Sequence, residues 1–391
     1  MHHRKHQKAT DHLHLPLSSK PSTSKPGSIR NGHSMVSRDQ SSPISLRTFS
    51  NAGLYILSGC CQPLIVTLIK AAGLANPKCQ LYMVPYTLVP TIYLLFVVVN
   101  DPREQKWPHR SAIFKASGCA AWDVASTTLN YTGATMAGPT IFSIIYSAVT
   151  IWTAIFSRLF LGRKMNVWQW MNVFIVFGGL TITAMDSSSM GKDVVRGSLY
   201  ILVGSAMHGL TYVMCEALMT VGEARLTAVQ NNLVQGAVAG AMLCLWQLFY
   251  TIPHSSDITV PMHNAGTSLL YALVLLGGFG LSNVVHSCTY YHTLLHFPNG
   301  ATSAGVMKGL QAVLVFVVTD LFYCNKLGGP EMCFTTSKCV SLITVCGGVL
   351  GYGYATRVSL GTVAETRDGS AKEAIEFEPV NETAKLLSVS P

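Results

Sequence analysis

The sequence predicts an all-α integral membrane protein of ten transmembrane helices, arranged as two copies of a five-helix unit. Three observations predict this fold class. Hydrophobic residues make up 49% of the 391 residues and charged residues only 12%, whereas an ordinary soluble domain has roughly 25% charged residues. Ten apolar segments follow one another, and short sequences recur in the same order in both halves.

The recurring sequences lie at corresponding segments of the two halves. Residues 54–59 (LYILSG) return as LYILVG from residue 199, residues 133–138 (GATMAG) return as GATSAG from residue 300, and FGG at 177–179 returns as CGG at 346–348. Each copy spans five segments, an odd number, so the second copy must enter the membrane from the other side. The expected architecture is therefore an inverted-topology repeat with a pseudo-twofold axis in the membrane plane.

Composition along the chain predicts each element in order. Residues 1–48 are polar, cannot bury a core, and are predicted to form a disordered tail. The two repeats follow over 49–190 and 191–357, and residues 358–391 form a second disordered tail. Each apolar segment comes near the ~20 residues that a spanning helix needs, and the segments are predicted near 52–72, 80–99, 111–130, 135–157, 166–185, 197–219, 228–251, 268–291, 301–324 and 337–356.

The positions of Lys and Arg predict the orientation. Basic residues are frequent in the N-terminal tail and in the second and fourth connections, which contain Arg103, Lys106, Arg110, Arg158, Arg163 and Lys164. The connections on the other side contain fewer. By the positive-inside rule both termini are expected in the cytoplasm. The basic residues behind the net charge of +9 lie mostly in the N-terminal tail and in short loops, where they set membrane orientation. The charge therefore does not predict a nucleic-acid partner.

The stretch from residue 133 to 185 resembles the drug/metabolite transporter superfamily. It has a GAT-type opening, a helix ending in SRLFLGRK at 157–164, the sequence Trp168-Gln169-Trp170, and a helix carrying FGGL. In the second half, AGVMKGLQ at 304–311 resembles the branch of nucleotide-sugar and triose-phosphate transporters, with EamA-like repeats. The likeness extends over about residues 50–357 and implies a secondary active transporter that works by alternating access.

Lys308 is the first candidate for substrate binding. It lies about two turns into the ninth segment among Val, Gly and Leu, where an ammonium costs roughly 2.5–3.5 kcal/mol on insertion scales. An acidic partner, water or an anionic substrate must offset that cost. The resemblance implies that this lysine contacts a substrate phosphate, and the alternative is a structural ion pair with Asp123 or Glu216. Gln311 lies on the same face.

A polar stripe in the sixth segment gives further candidates. His208, Tyr212 and Glu216 are spaced at i, i+4 and i+8 and share one face, and Gln62 of the first segment is expected to face them. Asp123 and Glu216 are interpreted either as proton-coupling groups, because desolvation raises a carboxyl pKa, or as members of ion pairs.

Other candidates lie in the third, fourth and eighth segments. Asn283 and His286 share one face of the eighth segment, and Trp122 and Tyr146 could stack on a base or sugar. Each of these side chains also has a simpler interpretation as a packing residue. Four glycines are predicted to let helices cross closely: Gly133, Gly138, Gly300 and Gly305.

The eleven cysteines show no metal-binding spacing, and neither a metal nor a cofactor is expected. Cys324 and Cys333 flank a short loop rich in Gly and Pro, and a disulfide is expected there if the loop faces an oxidising lumen. The C-terminal tail resembles an acidic dileucine signal for sorting adaptors, formed by Glu382, Leu386 and Leu387.

Two functions remain open from the sequence. The leading hypothesis is a transporter, working as an antiporter, that carries an organic anion or phosphorylated metabolite, with a nucleotide sugar as the best single choice, across the Golgi or another endomembrane. The alternative is a proton-coupled exporter of amino acids, peptides or drug-like cations from a vacuole or lysosome. The sequence contains no HExxH, GxSG, paired membrane aspartates or glycine-rich phosphate loop, so no enzymatic activity is expected.

Overall fold

The computed structural model describes most of the chain between the two tails, over residues 46–100, 108–163, 165–189, 191–222, 225–297, 300–327 and 332–376. These residues form helices joined by turns, and they contain no strand. Several sequence predictions lie outside them: most of the first tail, Arg103, Lys106, Lys164, and the sorting signal at Glu382, Leu386 and Leu387.

Within the described residues, eleven α-helices follow one another, and a π-helical turn at Gln247–Thr251 continues the seventh. Their bounds are α1 Leu46–Ala71, α2 Met83–Asn100, α3 Arg110–Tyr146, α4 Val149–Leu161, α5 Val167–Ser189, α6 Lys192–Thr220, α7 Ala228–Trp246, α8 Ser256–Asn264, α9 Leu269–His296, α10 Gly300–Tyr323 and α11 Thr336–Glu376.

The helices have the length and apolar composition of an integral membrane protein. Seven of those in the described part can each cross a membrane, and there are eight if α3 and α4, which are bent by 47°, form one span. α5 contributes a shorter apolar helix over Val167–Thr183. Every predicted segment overlaps one or two helices. Ten spans, the inverted repeat, its division at residue 190 and the cytoplasmic termini stay predictions.

Helix α3 is broken at Gly138. This residue has φ 81° and ψ 164°, a backbone conformation that essentially only glycine adopts. The break lies later than the boundary predicted near residues 131–134, because the glycine at 133 keeps helical geometry and does not end the helix. Pro139 then begins the next helical stretch, where its missing N–H has no cost. Gly138 therefore permits a bend, and the helix crossing predicted for it stays a prediction.

Replacing Gly138 by alanine is expected to destabilise the protein by about 1–3 kcal/mol, because an L residue is strained at this φ and ψ. The measurement is the midpoint of thermal unfolding of the purified protein in detergent. Gly118→Ala is the matched control, since Gly118 lies in the same helix with nothing within 4 Å of an added Cβ. Equal midpoints for the two variants would contradict a backbone conformation at Gly138 that requires glycine.

Two of the other three predicted glycines lie where helices meet. A Cβ on Gly133 would lie 2.6 Å from the carbonyl oxygen of Gly197 in α6, and one on Gly305 would lie 2.9 Å from Cα of Thr150 in α4. Gly300 differs, because a Cβ there would overlap the carbonyl of Leu294. It serves the tight connection between α9 and α10, so the crossing predicted for it is not formed.

A disulfide joins Cys324 and Cys333, whose Cα atoms are 4.7 Å apart. The bond links the end of α10 to the segment that precedes α11, and it therefore constrains the connection between the last two helices. The remaining described cysteines are free thiols.

Candidate functional site

A cavity opens between α1, α2, α3, α6, α7, α9 and α10. Its empty space is about 1180 Å³, a volume that includes open solvent at its mouth. All but one of the predicted substrate-binding residues line it: Gln62, Tyr146, His208, Tyr212, Asn283, His286, Lys308 and Gln311. The tertiary structure thus brings together residues from both predicted repeats.

Lys308 lies in the wall of this cavity with only 5% of its surface exposed. Its Nζ is 3.1 Å from Nε2 of His286, and it lies over the rings of Tyr55 and Tyr146, 5.1 and 5.4 Å from their centroids. Among the described residues no carboxylate contacts this ammonium. The structural ion pair with Asp123 or Glu216, which the sequence left open, is therefore not formed.

A chain of amides and hydroxyls orders a second part of the wall. Gln62 donates from Nε2 to Oδ1 of Asn283 over 3.1 Å and accepts at Oε1 from the hydroxyl of Tyr131 over 3.2 Å. Asn283 in turn donates to the backbone carbonyl of Tyr86 over 2.7 Å. These bonds connect α1, α2, α3 and α9, and they hold the amides in one orientation for a ligand. Gln311 donates to the carbonyl of Tyr55 over 2.9 Å.

The cavity also contains an acid–base pair. Nδ1 of His208 lies 2.9 Å from Oδ1 of Asp123, and the two side chains are 18% and 33% exposed. The rings of Tyr146 and Tyr212 pack against His208 with centroids 5.8 and 4.9 Å away. The only carboxylate that lines the cavity in the described part of the chain is therefore already beside a base.

Aromatic rings fill the space between the polar groups. The hydroxyls of Tyr55 and Tyr212 are 3.0 Å apart, and the ring of Tyr290 is 4.7 Å from that of Tyr212. Tyr55 also stacks on His286 with ring centroids 4.7 Å apart. A planar group entering the cavity would meet these faces, which favour offset or edge contacts with other rings.

Trp122 does not line the cavity, so the cavity does not support its predicted contact with substrate. It is 39% exposed and donates from its indole to the carbonyl of Met207 over 3.0 Å. Successive residues of an α-helix project about 100° apart. Because the neighbouring Asp123 lines the cavity, Trp122 projects to one side of it.

Glu216 is also outside the cavity. The two guanidinium nitrogens of Arg163 contact its two oxygens at 2.5 and 3.3 Å, and it accepts from the backbone N–H of Ala301 over 3.0 Å. Eight residues after His208 correspond to about 12 Å along the helix, which puts this carboxylate beyond the cavity although it shares the face. Of the two interpretations of Glu216, the structure contains the ion pair.

Sequence reasoning missed several residues of the site, among them Tyr55, Ser58, Tyr86 and Tyr131. All four carry a hydroxyl within or next to an apolar helix, which is the signal that marked the other candidates. No group of three or more His, Cys, Asp or Glu side chains in the described ranges could hold a metal ion.

Comparison with known proteins finds similarity to transporters. Residues 64–185 match the EamA-like transporter family. The human protein named solute carrier family 35 member F6 is 28% identical over 104 residues, which are 25% of this chain and 28% of that protein. Its rat counterpart of the same name is 25% identical over 192 residues, 44% of this chain and 50% of that protein. The matches thus span half or less of each relative's length.

One solved crystal structure also resembles the chain. It is 13% identical and covers 79% of this chain and 99% of its own, with a TM-score of 0.49, a likeness too weak to argue from.

Proposed function

We propose that this chain, whose residues 64–185 match the EamA-like transporter family, is a secondary active transporter of the drug/metabolite transporter superfamily. Its proposed cargo is a small organic anion or phosphorylated metabolite. Alternating access between its two repeats would carry the cargo across an endomembrane such as the Golgi, with both termini in the cytoplasm. The proposal assigns no catalytic residue and no cofactor.

The observation that supports an anionic cargo is the position of Lys308. This ammonium is buried in the cavity wall and has no carboxylate partner in the described residues, whereas Asp123 already lies beside His208. A buried charge is costly unless it is paired. The anionic group of a substrate would provide the missing countercharge.

The remaining cavity walls favour a nucleotide sugar within this class. The rings of Tyr146, Tyr212 and Tyr290 offer faces for a base, and the amides of Gln62 and Asn283 offer fixed hydrogen-bonding groups for sugar hydroxyls. Exchange for a nucleotide of similar charge would keep net charge movement small. Antiport is therefore the proposed transport mode.

The runner-up function is proton-coupled export of amino acids, peptides or drug-like cations from a vacuole or lysosome. The contact between Asp123 and His208 is the observation that favours it, because this carboxylate is one-third exposed and lines the cavity. A cationic group could replace His208 there. Glu216 supports this function less, since Arg163 and Ala301 occupy its oxygens.

The deciding experiment is uptake by the purified full-length protein in liposomes. We expect UDP-N-acetylglucosamine to enter vesicles preloaded with UMP faster than vesicles without it. Glucose 6-phosphate, glutamine and chloroquine complete the panel, each with and without a pH gradient. Uptake of glutamine or chloroquine driven by the pH gradient, without uptake of either phosphorylated compound, would reject the anion proposal in favour of the runner-up.

A further inference from the structure

We propose that Lys308 and His286 form the proton-coupling site of this transporter, and that a doubly charged anion binds together with one proton, which His286 holds. The inference rests on the anionic cargo proposed above and adds the ion that moves with it. It starts from two basic nitrogens 3.1 Å apart at the cavity wall, where Lys308 is 5% and His286 8% exposed.

The hydrogen bonds of Ser58 determine which nitrogen of His286 carries a hydrogen. The Ser58 hydroxyl lies 2.7 Å from the carbonyl oxygen of Leu54 and 3.1 Å from Nδ1 of His286. Its single hydrogen goes to the carbonyl, so toward the imidazole it can only accept. Nδ1 therefore carries the ring hydrogen, and the neutral imidazole presents a lone pair at Nε2. Lys308 donates to that lone pair.

In this arrangement the pair carries one positive charge. A second proton on His286 would place two cations 3.1 Å apart, in a wall where low dielectric and poor hydration both oppose it. No carboxylate of the described residues contacts either group, and Asp123 lies beside His208. His286 therefore binds a second proton only when an anion with two negative charges is present to balance both cations.

The titratable groups that face the pair leave this conclusion unchanged. Tyr and Cys side chains are mostly neutral near pH 7 in water. Besides the pair, the acidic and imidazole groups that line the cavity in the described ranges are Asp123 and His208, which contact each other. The titratable groups around the pair are Tyr55 of α1, Tyr86 of α2, Asp123, Tyr131 and Tyr146 of α3, His208, Tyr212 and Cys215 of α6, and Tyr290 and Tyr291 of α9.

The binding step can be written with its protons. As the anion enters, the N–H of Lys308 turns from Nε2 of His286 to an anionic oxygen. The freed lone pair on Nε2 takes one proton from the aqueous phase and forms an N–H bond, which donates to a second anionic oxygen. No bond of the cargo forms or breaks. The dianion and the two cations sum to zero charge, and the proton leaves with the anion on the other side.

The test measures protons and anion together. Liposomes containing the purified protein and trapped pyranine are given labelled UDP-N-acetylglucosamine, whose diphosphate is fully ionised near pH 7 and so takes up no proton itself. Without a counter-substrate inside, the wild-type protein is expected to acidify the lumen by about one proton per molecule taken up. His286→Gln should slow uptake, because it alters a group that contacts the anion, and should bring the number of protons per anion taken up close to zero. His296→Gln, an exposed residue of the same helix, should keep the wild-type ratio.

Ser58→Ala provides a second variant that keeps both basic groups. We expect it to move the pH of half-maximal uptake while leaving the ratio at about one. In the wild type, affinity for the anion should fall about tenfold per pH unit on the alkaline side, as one linked proton requires.

Two failures can be told apart. Anion uptake without acidification in the wild type would overturn the proton inference and leave the anion transporter standing, as would a His286→Gln variant that keeps the full ratio. Absence of uptake for every phosphorylated compound of the panel would overturn the proposed function and the proton inference with it.

Discussion

Replacing Lys308 by alanine is expected to lower kcat/KM for an anionic cargo by about 100-fold or more. Removing one partner of a buried charge pair typically costs about 2–5 kcal/mol, and about 1.4 kcal/mol corresponds to tenfold. In the wild type no second lysine or arginine among the described residues lines the cavity. The measurement is the initial rate of UDP-N-acetylglucosamine uptake by proteoliposomes over a range of concentrations.

The same variant should not lose thermal stability, since an unpaired buried ammonium is itself destabilising. Lys326→Ala is the matched control, because Lys326 is an exposed lysine in the connection after α10. It should leave kcat/KM within about twofold of the wild type. If Lys308→Ala retained uptake within threefold for every anion tested, the lysine would not be the anion-binding group.

Replacing Glu216 by alanine is expected to destabilise the protein by about 3–5 kcal/mol, the usual cost of removing one partner from a buried ion pair. Glu216 is buried, and its loss leaves the guanidinium of Arg163 and the N–H of Ala301 without their acceptor. The measurement is the free energy or midpoint of unfolding in detergent.

Glu216→Gln distinguishes a structural role from proton coupling. The amide oxygen can still accept from Ala301 and Arg163, so we expect less than half of the destabilisation and an unchanged pH dependence of transport. A glutamine variant that folded normally but lost the response to pH would instead identify Glu216 as a proton-coupling group. Arg163→Gln should lower stability in the same direction as Glu216→Ala.

The sequence candidates that line the cavity share a simple signal. Lys308, His208 and Asn283 are polar groups inside apolar helices, where their cost requires a compensating contact, and the cavity is where those contacts converge. Helical periodicity identified the face that His208 and Tyr212 share. It could not show how far along that face the cavity extends, and Glu216, which shares the face, lies beyond it.

The partners of each side chain could not be predicted in the same way. A carboxylate was one of the partners left open for Lys308, and its neighbour is His286 of another helix, 22 positions earlier. Asp123 was considered for that role, and it lies beside His208. Which of several polar groups meet depends on the rotation of each helix about its axis and on its crossing points, such as that of Gly133 with α6.

The sequence by itself determined the all-helical membrane class, the approximate positions of the helices and several polar residues of the cavity. These properties depend on local composition and on a period of 3.6 residues, and both can be counted along the chain. Only the tertiary structure decided the break at Gly138, the ion pair of Arg163 with Glu216, and the contact of Lys308 with His286. Those contacts depend on close packing between segments far apart in sequence. Rotating a helix about its axis by roughly 100°, the angle between successive residues, brings a different side chain into contact.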